Sequence, residues 1–208
     1  WIDRNPGFHW TSGPELPTKL ERGLVLMSAA AGILGRAGER CRALGTGRAS
    51  VTGQAALARI AQDLARLPNA PPPPSRQSAT VLLASDFYLP VEHWRNRIKA
   101  LGRGARAGVL LRVTDPAEAD FSYSGRVRFE APGATASVLF GRAETVRTVY
   151  QRRYQEHTEA LRQIANALGW PIVEVSTDAP ASNGLASLIA ATRALGQAHS
   201  KRFTMGRS

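Results

Sequence analysis

Three short, unbroken apolar runs punctuate the chain: Thr80-Val81-Leu82-Leu83-Ala84-Ser85-Asp86-Phe87, Gly108-Val109-Leu110-Leu111-Arg112-Val113-Thr114-Asp115 and Pro171-Ile172-Val173-Glu174-Val175-Ser176-Thr177-Asp178. They are mostly continuous, not alternating, and rich in aliphatic and β-branched residues, which is how strands buried on both faces of a parallel sheet read. Each carries an aspartate at its carboxyl end, Asp86, Asp115 and Asp178, and in open α/β sheets ligands bind outside the carboxyl ends of the strands. Trp1-Ile2-Asp3 has the same character and predicts the tail of a fourth strand. A chain that opens in mid-strand without an initiator methionine reads as a fragment of a longer protein.

Between these runs the apolar period changes to that of a helix. A stripe at Leu20, Leu24, Met27, Ala31 and Leu34 predicts a helix over 17–36, with Gly35 and Gly38 at its end. A short strand follows over 39–44, then a small-residue loop over 45–53 and a helix striped by Leu57, Ile60, Leu64 and Leu67. The proline-rich stretch 68–78 is an extended spacer. After the central run, Val91, Trp94, Ile98 and Leu101 mark a helix over 90–101. The stretch 115–120 reads as a turn or a single helical turn. Alternation at 125–130 and 136–140, parted by Pro132-Gly133, predicts a hairpin. A long helix is predicted over 143–168 and a last one over 183–195, ahead of a loose, basic tail. The expected fold is therefore α/β, doubly wound, with a mostly parallel central sheet, helices on both faces and a β-hairpin insertion near 122–140. One domain over 1–196 and a basic tail over 197–208 account for the whole chain.

Composition narrows the class. At 208 residues and 43% hydrophobic, the chain suits one ordinary core. A single cysteine, Cys41, excludes an internal disulfide framework and points to a reducing, cytoplasmic setting. The longest apolar and small-residue run, over 23–35, falls short of the roughly 20 residues a membrane helix needs. Neither a membrane span nor a signal peptide is legible in this stretch of chain. The net charge of +11 invites a nucleic-acid reading. However, only three of the 27 basic residues are lysines and the arginines are spread over nearly every segment, so no specific nucleic acid is expected and an acidic protein partner suits better.

Several stretches together resemble one family: Trp1-Ile2-Asp3-Arg4-Asn5-Pro6-Gly7, Leu83-Ala84-Ser85-Asp86-Phe87, Val113-Thr114-Asp115-Pro116-Ala117-Glu118, Ser124-Gly125-Arg126-Val127-Arg128-Phe129-Glu130, Gly169-Trp170 and Thr177-Asp178. In this order they resemble the bacterial von Willebrand factor A-like proteins grouped as domain of unknown function 58. The resemblance implies a metal-ion-dependent adhesion site at the carboxyl edge of the sheet, built from Asp-x-Ser-x-Ser, a threonine and a further aspartate. Mapped onto this chain, the ligands would be Asp3, Asn5, Thr52 and Asp86. The set is degenerate, because Asn5 and Gly7 stand where two serines belong. Losing two of five ligands should weaken Mg²⁺, which demands near-ideal octahedral oxygen geometry. A weak affinity for Mg²⁺ is the most that is expected, and no cofactor is required. The resemblance also implies a protein partner, a MoxR-type AAA+ ATPase, and a role in protein assembly or maturation.

Catalytic residues are not expected. Ser85 and Asp86 with one of His9, His93, His157 or His199 would be the raw material of a hydrolase, but no Gly-x-Ser-x-Gly elbow is present. Gly45-Thr46-Gly47 lacks the lysine and the length of a phosphate loop, and no Cys/His cluster suits zinc. Asp115 and Asp178 are read as helix caps or turn starters, as aspartates at strand ends commonly are. The expected function is a non-enzymatic protein–protein interaction module. The alternatives are a hydrolase with an aspartate-lined cleft or a basic nucleic-acid-binding protein.

Overall fold

The computed structural model describes residues 1–75, 79–130 and 137–205; beyond 197 it describes the backbone alone. Three parallel strands form the central sheet in the order β1 (Thr80–Ser85), β2 (Ala107–Thr114), β5 (Ile172–Ser176). The outer edge of β1 meets Trp1–Asp3 through a single parallel bridge, Ile2 to Ala84, closed by hydrogen bonds from Asp3 N to Ala84 O (2.8 Å) and Ala84 N to Trp1 O (3.0 Å). Residues 80–85 thus lie between β2 and the first residues of the chain, as their apolar continuity requires.

Helices cover both faces. α1 (Lys19–Arg36) and α6 (Ala181–Met205) pack on one, where Gly184 of α6 approaches Val175 and Leu26 so closely that a Cβ would stand 2.7 Å from Val175. α3 (Val91–Gly102) and α5 (Arg147–Asn166) lie on the other, with Thr158 of α5 accepting a hydrogen bond from Arg112 of β2 at 2.8 Å. Side chains alternate across a strand, so Arg112 faces α5 while Val113 faces α1 and α6. On the α5 side Trp170 lies flat against the bare backbone of Gly108, where a Cβ would meet its ring at 2.2 Å. α2 (Ala55–Ala65) packs outside α1, and α4 (Pro116–Asp120) is one turn capped by Asp115.

β3 (Val127–Glu130) and β4 (Ser137–Phe140) pair antiparallel as a separate ribbon; the expected Pro132-Gly133 turn lies outside the described residues. An isolated two-stranded ribbon is marginal in water. Here aromatic stacking onto Phe129 ties it down, with ring centroids of Phe121 and Tyr123 at 5.8 and 5.2 Å, while Tyr150 of α5 backs Phe121 at 4.7 Å.

Two expectations need correction. Residues 39–44 form no strand: Cys41 makes only an isolated antiparallel bridge to Val51, because the outer edge of β1 is already taken by Trp1–Asp3. The last helix does not stop at 195 but runs to Met205, since Gln197, Ala198 and Lys201 are all good helix formers. Among the described residues no helix is long and apolar enough to cross a membrane.

Candidate functional site at the carboxyl edge

The first strand residues and the end of β1 bring Asp3 and Asp86 to the same edge of the sheet, both buried. Asp3 is satisfied from its own side of that edge. Its Oδ2 accepts from Ser85 Oγ (2.7 Å) and Asn5 Nδ2 (2.8 Å), and its Oδ1 from Asn5 N (2.9 Å). The Asn5 side-chain oxygen accepts instead from Phe8 N (3.1 Å), as the cap of a 3₁₀ turn over Pro6–His9. Asn5 therefore presents its NH₂ group to Asp3 and spends its oxygen on the backbone.

Asp86 meets a cation of the protein's own. Lys19, the first residue of α1 and 1% exposed, places Nζ 2.9 Å from Asp86 Oδ2 and 2.5 Å from Glu118 Oε1. The ammonium also lies 5.0 Å from the centre of the Tyr88 ring and 5.7 Å from that of Trp10, within cation–π range. Glu118 does double duty, because its Oε2 reaches back to Asp115 N (3.1 Å) in a capping box and accepts from the Tyr88 hydroxyl (3.3 Å). Burial raises the Glu118 carboxyl above the ordinary range, against the pull of Lys19, and burial pushes the Tyr88 phenol far above its own. Asp115 is fully buried and divides its carboxylate between Ala117 N and Ser12 N, each at 2.9 Å. The backbone turns sharply here: Phe87, buried against Trp94, takes a φ of 60°, which is uncommon for a bulky residue, and its carbonyl is held by His157 Nε2 at 2.8 Å.

The remaining sequence candidates lie elsewhere. Thr52 donates to Gly35 O (3.2 Å) near the far end of α1. Lys19 and Gly35 are separated by roughly 24 Å of helix at 1.5 Å per residue, so Thr52 is not part of the edge. Asp178 is exposed and accepts from Ser176 Oγ. Ser85 gives its hydroxyl proton to Asp3 and has no hydrogen bond to a histidine among the described residues. No group of three His, Cys, Asp or Glu arranged to hold a metal ion occurs among those residues. A large cavity of about 940 Å³ opens at the other end of β1, lined by Met27, Leu34, Val81 and Arg106. Among the described residues its acidic lining is Glu39 alone, so cavity and carboxylate cluster do not coincide.

Sequence reasoning missed Lys19, Glu118, Tyr88 and Trp10. A signal for Lys19 was present: it occupies the buried stripe of α1 with Gly23, Leu26 and Ala30 at helical spacing, and a lysine on an apolar stripe demands a partner. Asp115-Pro116-Ala117-Glu118 is likewise a legible capping box.

Neither the curated proteins nor the solved structures include a match to this chain. The family model described as Protein of unknown function DUF58 matches residues 49–160, a stretch that holds Asp86, Asp115, Glu118 and the hairpin but not Asp3 or Lys19. That match spans more than half of the chain, and the chain belongs to this family, Protein of unknown function DUF58.

Proposed function

We propose that this chain is a non-enzymatic protein–protein interaction module of von Willebrand factor A-like type, working with a MoxR-type AAA+ ATPase in protein assembly or maturation. The observation that carries this reading is the β3–β4 ribbon. Adjacent residues on a strand point to opposite faces, yet Val138 and Leu139 are 55% and 48% exposed, so both faces of the ribbon offer apolar surface. Its strand edges have no further pairing among the described residues, and such edges take up partner strands readily. Exposed Arg126, Arg128 and Arg142 flank the apolar surface, which favours a partner with an acidic rim. The carboxyl edge is compatible with the same reading, since Asp3, Asp86 and Asp115 are all engaged in hydrogen bonds or ion pairs within the protein.

The test is photo-crosslinking in the source cell, with a benzophenone amino acid at Leu139 and, as control, at exposed Lys99 of α3. The reading expects the ATPase to be trapped from position 139 and not from position 99. Equal yields from the two positions, or adducts lacking the ATPase, would count against it.

A further inference from the structure

The divalent-metal site that the family resemblance implies does not fit the residues present. Asn5 turns its amide nitrogen toward Asp3 and spends its oxygen on Phe8 N, and Thr52 belongs to the far end of α1. Above all, the space in front of Asp86 holds a lysine ammonium, bonded to two carboxylates and facing two aromatic rings. A cation already resident and desolvated there repels a second one and fills the position in front of Asp86 that a metal ion would need.

We propose that Lys19 is the fixed counter-cation of the carboxyl edge: its ammonium, and not a divalent ion, is the positive charge that Asp86 and Glu118 share, and the edge is a closed joint that no partner's carboxylate enters. Three separate segments meet at that nitrogen. Lys19 begins α1, Asp86 ends β1, and Glu118 lies in α4, and the bonds span 67 and 99 residues of chain. Trp10 and Tyr88 close over the ammonium, and with the side chain 1% exposed no external acidic group reaches it. In a metal-ion-dependent site an open coordination position receives the partner; here the corresponding charge sits on a tethered side chain with its donors turned inward. A partner therefore gains no metal-bridged carboxylate contact at this edge. This inference does not depend on what the hairpin binds.

The experiment is calorimetric unfolding of the full chain in EDTA, in millimolar MgCl₂ and in millimolar MnCl₂. It compares the wild type, Asp86→Asn, Lys19→Met, and Lys19→Met combined with Glu118→Gln. The wild-type midpoint should move by less than about 1 °C among the three buffers. Lys19→Met, which leaves buried carboxylates unpaired, should lower it by roughly 6–20 °C or prevent folding. The double variant, with one of those charges removed, should recover at least half of the loss, and it reads out even where the single variant does not fold. A saturable rise of the wild-type midpoint with either metal, abolished by Asp86→Asn, would overturn the proposal. So would a Lys19→Met midpoint equal to wild type, or a double variant no more stable than the single one.

Discussion

Replacing Asp115 by alanine separates a structural carboxylate from one held ready for a ligand. Asp115 is fully buried, caps α4 through Ala117 N and ties the 10–18 loop to the end of β2 through Ser12 N, 103 residues away in sequence. Loss of the cap costs about 0.5–2 kcal/mol and loss of the second charge-assisted hydrogen bond about 1.5–3 kcal/mol, so Asp115→Ala should lose roughly 2–5 kcal/mol. Asp115→Asn keeps one acceptor but turns an NH₂ group toward an N–H donor, and should lose about 1.5–3 kcal/mol. In a chain of this size the alanine change lowers the thermal midpoint by roughly 4–20 °C. Urea titration at neutral pH, followed by far-ultraviolet dichroism and tryptophan fluorescence, measures both variants. A ligand-binding carboxylate would behave in the opposite way, since its removal relieves buried charge and leaves or raises stability. Asp115→Ala within about 0.5 kcal/mol of wild type would refute the reasoning.

Other consequences follow from single positions. Gly108→Ala forces a Cβ to 2.2 Å from the Trp170 ring and should destabilise by about 1–3 kcal/mol in the same titration. Gly196→Ala on α6, where a Cβ meets nothing within 4 Å, should stabilise by about 0.5–1 kcal/mol. In the Thr18 capping box, hydrogen bonds from Thr18 hold the Glu21 carboxyl below its ordinary pKa. Its contribution to stability is therefore present above the unfolded glutamate pKa and lost as pH falls through the lowered native value. A carbonyl-carbon NMR titration should find Glu21 depressed in the wild type and less depressed in Thr18→Ala, which loses the hydroxyl donor but keeps the backbone N–H. Val138→Asp with Leu139→Asp changes exposed positions, so the midpoint should hold within about 2 °C. Partner affinity should fall roughly 10–100-fold, because each half-exposed side chain has about 1–1.5 kcal/mol of burial still to gain.

What was legible in the sequence followed from patterns that local chemistry enforces. Continuous apolar runs at 80–85, 107–114 and 172–176 became parallel strands, because a strand covered on both faces has no solvent side to mark. Alternation at 127–130 and 137–140 became the ribbon. The aspartates at the strand ends reached one edge of the sheet because parallel strands share a direction. The misreadings arose where the outcome depended on a distant competitor. Residues 39–44 had strand-like composition but no free sheet edge to join. Thr52 had the right residue type, yet α1 carries its neighbourhood away from Asp86. Lys19, the residue on which the edge closes, is drawn inward by Asp86 and Glu118, partners 67 and 99 residues away, a separation that no spacing rule reaches.

The central claim, a binding surface on the ribbon with a carboxyl edge that needs no metal, is tested most directly by one binding isotherm. The full chain is titrated against the proposed partner, a nucleotide-free MoxR-type ATPase, in EDTA and in MgCl₂, as wild type, as Asp86→Asn and as the Val138→Asp, Leu139→Asp variant. Wild-type Kd should agree between the two buffers within about threefold, and only the ribbon variant should lose about tenfold or more. Binding that vanishes in EDTA and in Asp86→Asn, while the ribbon variant binds as tightly as wild type, would contradict the account.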